Sequence, residues 1–141
     1  MPDRIIRQEG IVFGPTANGK AYVSVYYHRR NDPQGRKNCW HPDVLPPAEY
    51  SLFEQADVAD WSDPAGHYWG FGARGRLQLG TRGERLAKFP RTTNATDPWH
   101  GYPVSPRDDY DDTPPDDLVN RWIDSDQIDK AVGRRIQRQK I

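Results

Sequence analysis

The sequence predicts an α+β fold: a small antiparallel sheet of hairpins, one central helix and a C-terminal helical pair. Three observations carry that reading. Residues 4–30 and 67–89 alternate β-branched or aromatic residues with polar ones, and glycine-bearing turns separate the runs. Residues 46–61 and 113–140 show apolar residues at helical spacing. Aromatics reach 11% although hydrophobic residues total only 35%, so rings must close a core poor in aliphatics. A length of 141 residues suits one domain, divided into a β-rich part (1–90), an ordered Pro-rich loop (90–112) and a helical part (113–141).

Taken in order, RIIRQEGIVF and KAYVSVYYHRR read as two strands of one hairpin over residues 4–29, turned by Asn18-Gly19. In the second strand Val23, Val25 and Tyr27 form the face expected inward. Tyr22, Ser24, Tyr26 and His28 form the other, available to a second layer or a ligand. A connection rich in Pro, Gly and Asn follows over residues 30–47. PPAEYSLFEQADVADW then starts on proline and places Leu52, Phe53, Ala56 and Ala59 on one helix face, with Glu54, Asp57 and Asp60 as a solvated acidic edge.

HYWGFG and RLQLG read as a second hairpin turned at Ala73-Arg74, and LGTRGERLAKF as a further strand entered through Thr81-Arg82-Gly83. From Pro90 to Asp112 nothing is periodic, and the aromatic content of that stretch argues for order. TPPDDLVNRWI opens the first C-terminal helix, with Thr113 as cap, Asp116 as its capping-box carboxylate, and Leu118, Val119, Trp122 and Ile123 as its stripe. Ser125 caps a second helix striped by Ile128, Val132 and Ile136, in which Gly133 costs about 1 kcal/mol relative to Ala. So narrow a stripe needs a surface: the sheet, a partner, or a second copy in a homo-oligomer.

Charge is balanced in total, with 20 basic and 20 acidic residues, but segregated along the chain. Arg74, Arg76, Arg82, Arg85, Lys88 and Arg91 oppose Glu84 alone, whereas Asp108, Asp109, Asp111, Asp112, Asp116 and Asp117 form an acidic run. Such blocks are solvated faces, and they steer partners of opposite sign. MPDRIIRQEG has no apolar run of the kind a signal peptide needs, and no stretch approaches the roughly 20 apolar residues of a membrane helix. One cysteine, Cys39, fits a reducing compartment, so the expected location is the cytoplasm, away from membranes. Cys39 and His41 supply two potential ligands without the spacing of a zinc site, so neither metal nor cofactor is expected. GFGARGRLQLG lacks the order of a nucleotide-binding loop and reads as turn chemistry.

The densest local signal is DPWHGYPVSP, residues 97–106, with two aromatics, a histidine, a glycine and three prolines. Prolines stiffen the loop and reduce the entropy lost in holding Trp99, His100 and Tyr102 in one arrangement. One role is a clamp, with Trp99 plugging the core. The other is a site, in which arginines hold a phosphate backbone and rings stack bases. The leading expectation is therefore a non-enzymatic binding or accessory protein, of the sort found in bacterial conflict or regulatory systems such as toxin–antitoxin pairs. It would engage single-stranded RNA or DNA, or a protein, through Arg74, Arg76, Arg82, Arg85, Lys88, Trp99 and Tyr102. The rival is a small metal-independent, toxin-like nuclease with His100 or His67 as acid or base, Glu84 or Asp97 as second group, and Arg82, Arg85 or Lys88 stabilising the phosphorane.

Overall fold

The computed structural model describes residues 3–6, 9–30 and 38–141. Its architecture is α+β, as the sequence predicts, but with two three-stranded antiparallel sheets in place of one. The first sheet orders β1 (Asp3–Ile6), β2 (Gly10–Gly14) and β3 (Tyr22–Val25). The stretch expected to be one strand, residues 4–13, is thus two antiparallel strands, with Ile6 paired to Ile11. Residues 7 and 8 of that stretch lie outside the described residues. The Asn18-Gly19 turn joins β2 to β3 as expected, with Gly19 at φ 81° and its amide donating to the Thr16 carbonyl. After Val25 the chain tightens into a 3-10 turn, Tyr26–His28, which ends the strand alternation.

Helix α1 spans Pro46–Ala59, with proline in its first turn. Phe53 and Ala56 are buried and Leu52 is half-buried, as their spacing predicts. Its expected acidic edge is corrected at Asp57, which is buried and accepts from Lys20 Nζ and Thr16 Oγ1, each at 2.7 Å. A carboxylate in the last turn of a helix opposes the helix dipole, and the Lys20 ammonium offsets that. The tyrosine face of β3 meets a second layer. Tyr22 packs on Phe53 and Phe89, and its hydroxyl, Ser24 and Arg29 all donate to the buried carboxylate of Glu49 on α1.

The second sheet orders β4 (Tyr68–Gly70), β5 (Leu86–Phe89) and β6 (Tyr102–Val104). Two expectations fail here. RLQLG forms no strand, because β4 pairs with β5; the chain does turn at Ala73-Arg74, but residues 76–80 leave it as irregular backbone. The stretch from Pro90 to Asp112 carries β6, whose short length and central Pro103 erase any alternation. As an edge strand β6 tolerates that proline. Successive residues of β5 serve two cores. Leu86 joins Trp69, Val104, Val119, Trp122 and Ile136 on one side, while Ala87 and Phe89 join Tyr22, Phe53 and Trp99 on the other.

Helices α2 (Asp116–Asp124) and α3 (Lys130–Gln137) cover the first of these cores. Leu118, Val119 and Trp122 of α2 and Ile136 of α3 are buried as their spacing predicts, whereas Ile128, expected on the second helix, is buried in the connection before α3; all five are at most 3% exposed. The expected caps do not form. Pro115 and Asp129 precede the helices without a side-chain cap, Thr113 Oγ1 donates to the Tyr110 carbonyl, and Ser125 Oγ to that of Arg121. Gly133 is corrected from a weak point to a contact, because a Cβ there would lie 2.6 Å from Ile123 Cδ1. Glycine lets α3 approach α2. Among the described residues no helix is long and apolar enough to cross a membrane.

Candidate functional site

Two seams hold the 97–106 stretch in place. The Trp99 amide donates to the Ala21 carbonyl at 2.8 Å and the Trp99 carbonyl accepts from Val23 at 2.7 Å, which joins the second sheet's approach strand to the first sheet. Gly101 then lies so close to the Phe89 ring that a Cβ would occupy the ring's own space. The residues between and beyond these anchors are therefore fixed in direction. Trp99 turns inward, 8% exposed, with its ring centroid 5.5 Å from Phe53 and 5.2 Å from Tyr68. His100 and Tyr102 turn toward the other edge.

There they meet His28, delivered by the 3-10 turn after β3. The His28 and His100 rings stack with centroids 6.3 Å apart and planes 17° from parallel, and Tyr102 lies 5.2 Å from His28. Nδ1–H of His28 donates to the Asn38 carbonyl at 2.7 Å, which fixes that ring. His28, Asn38, Tyr102, Ser105, Asp108, Asp109 and Asp112 line a cleft of about 390 Å³. Tyr102 and Lys88 are paired across β5 and β6, and Lys88 Nζ reaches Asp112 Oδ1 at 3.2 Å while lying over the Trp69 ring.

The electrostatics of the cleft follow from burial and crowding. Burial holds the His100 pKa below the ordinary histidine value, so the ring is neutral at pH 7. Burial, reinforced by Asp112 and Asp109, pushes the Tyr102 hydroxyl up and keeps it a donor. Burial also raises Asp112, with Asp109 and Asp111 adding repulsion, and Lys88 opposes that rise. Three carboxylates against one ammonium give the lining a negative balance. Rings beside carboxylates suit an ammonium or guanidinium, which gains from both.

The other residues singled out from sequence lie elsewhere. Arg74 bonds Asp126 and Asp129, with Nη2 at 2.8 Å and Nε at 2.9 Å from their carboxylates, and Arg76 pairs with Asp129. Asp126 and Asp129 precede α3, so these arginines clasp the helical pair. Arg82 sits exposed at the 81–83 turn, and the buried Glu84 accepts the Arg82 amide at 2.8 Å beneath Gly80, locking that turn. His67 accepts the Arg91 amide on Nδ1 at 2.9 Å, and its own amide donates to Asp63. Asp97 closes a local turn with Asn94. Arg85 is half-buried at the start of β5.

The structure thus gathers His100, Tyr102 and Lys88 and adds His28, Asp109 and Asp112, whose part was not assigned from sequence. Alternation places His28 on the Tyr22–Ser24 side of the expected strand, but it belongs to the 3-10 turn beyond β3, and its meeting with His100 depends on the seam at Trp99. Among the described residues no group of three or more His, Cys, Asp or Glu side chains is arranged to hold a metal ion. Comparison with protein-family models, with curated proteins and with solved structures finds no significant match to this chain.

Proposed function

We propose that this chain is a non-enzymatic binding protein that receives a lysine- or arginine-bearing segment of a protein partner in the cleft beside His28, His100 and Tyr102. The observation that carries the reading is the cleft's lining: the rings of His28 and Tyr102 together with the carboxylates of Asp108, Asp109 and Asp112. A guanidinium or ammonium there faces carboxylates and ring faces together. The arrangement speaks against the single-strand reading, because Arg74, Arg76 and Lys88 are already paired with carboxylates and Trp99 has no free face for a base.

The test is anisotropy of a labelled Lys/Arg-rich peptide titrated with the full chain at low salt, with a neutral peptide as control. Saturable binding is expected, weakened about tenfold or more by Asp108→Asn with Asp109→Asn, substitutions that keep the acceptor serving the Asp111 amide. A parent chain that takes up the basic and neutral peptides equally overturns the proposal.

One observation favours the nuclease as second reading: a neutral His100 stacked on a second histidine is an acid–base pair in outline. It ranks below because a phosphodiester entering the cleft would face three carboxylates. RNA cleavage by the parent that His100→Ala abolishes, with peptide binding absent, would reverse the order.

A further inference from the structure

Among the described residues Lys88 lies outside the lining of the acidic cleft, yet it adjoins two residues that belong to it, Tyr102 and Asp112. On β5 it pairs with Trp69 of β4 on one side and with Tyr102 of β6 on the other, so the three side chains project from one face of the second sheet. Its ammonium lies 5.3 Å from the Trp69 ring centroid and 3.2 Å from Asp112 Oδ1. The side chains of Lys88 and Asp112 are 14% and 15% exposed, so the pair is largely withdrawn from solvent and from screening ions.

The three carboxylates of the lining are therefore unequal. Asp112 is engaged by Lys88, and the ammonium opposes the rise in its pKa that burial causes. Asp108 is 60% exposed and meets Arg107 Nε at 3.7 Å, beyond hydrogen-bond reach. Asp109 is exposed and accepts the Asp111 amide on one oxygen. An entering cation thus finds Asp108 and Asp109 exposed to it, with a positive charge already fixed at the third carboxylate.

We infer that Lys88 sets the charge specificity of the cleft: held on Asp112, it neutralises that carboxylate and limits the site to one cationic side chain, received by Asp108, Asp109 and the Tyr102 ring. This rests on the reading of the cleft as a receiver of lysine or arginine. A second cation beside the first would be turned away by the resident ammonium, a repulsive element that selects among basic segments.

The experiment follows anisotropy of two labelled peptides, one with a single arginine in a neutral sequence and one with two adjacent arginines. Each is titrated with the full chain at low salt and pH 8, to keep Asp112 ionised in the variants. The parent should bind the two peptides within about threefold of each other. Lys88→Met should bind the diarginine peptide about tenfold more tightly than the parent does, and Lys88→Arg, which keeps the charge, should not. Asp112→Asn, which leaves Lys88 without its carboxylate, should weaken both peptides about tenfold. Lys130→Met removes an equal charge at the exposed start of α3 and measures the effect of net charge alone, expected to be under about twofold. A gain in affinity is a result that damage to the fold does not produce. Should Lys88→Met fail to fold, Asp112→Asn decides, and unchanged affinity there overturns the assignment. A parent that binds, with Lys88→Met no tighter for the diarginine peptide than Lys130→Met, overturns the role of Lys88 and leaves the cleft reading in place. A parent that takes up neither arginine peptide above a neutral control overturns the cleft reading itself, and this inference with it.

Discussion

His100 shows how one side chain's surroundings set its chemistry. Half-buried against His28, it is held neutral at pH 7 because burial penalises the charged ring. Its folded pKa therefore lies below its unfolded value of about 6.5. A depressed value contributes stability that is present above the unfolded pKa and is lost as pH falls through the folded one. Melting temperature recorded from pH 7.5 to 5 should decline in the parent, and His100→Gln should decline less over the same interval. Parallel curves would mean that the ring is solvated in both states. The same burial makes Glu49 informative: a carboxylate 1% exposed that accepts from Tyr22, Ser24 and Arg29 anchors α1 to the first sheet. Nothing in the periodicity of α1 marks Glu49 as different from Glu54, because burial of a charge is decided by what crosses over it.

At the scale of elements, what is legible from sequence divides by range. The apolar positions of α1 and of the C-terminal pair are local features, written in spacing, and they are buried or half-buried as read, although Asp57 leaves the acidic edge and α3 begins only after Ile128. Strand partners are not local. The run at 76–80 alternates like a strand, yet β4 is claimed by β5 after an intervening turn and excursion. Segment β6 lacks alternation yet becomes a strand because Leu86, Ala87 and Lys88 offer it a free edge. At the cleft, His100 and Tyr102 were recognisable because they sit in one conspicuous motif, and Lys88 because it belongs to the basic run of residues 74–91. His28 and Asp112 arrive from distant segments, so only the fold reveals them. Gly101 is where element and site meet, since its missing side chain lets β6 lie against the Phe89 ring and the Lys88 carbonyl. Gly101→Ala should cost roughly 3 kcal/mol in urea unfolding, from overpacking against a ring and backbone that cannot both retreat. A loss below about 0.5 kcal/mol would show that β6 shifts freely.

For the whole molecule, β5 lies between its two neighbouring strands and lends alternate residues to two cores, so neither core can be lost while the other keeps its wall. Urea unfolding followed by tryptophan fluorescence should coincide with unfolding followed by far-ultraviolet circular dichroism, because rings and backbone belong to one cooperative unit. Separated midpoints would instead assign α2 and α3 a stability of their own. The seam at Trp99 has a consequence in time. The β2–β3 hairpin and the α2–α3 pair are made by neighbours in sequence, whereas the bonds from Trp99 to Ala21 and Val23 must close most of the chain into a loop. Closing so long a loop loses chain entropy before any contact rewards it. The two sheets therefore join late in folding, and the edge on which His100 stacks against His28 is completed only when that last closure is made.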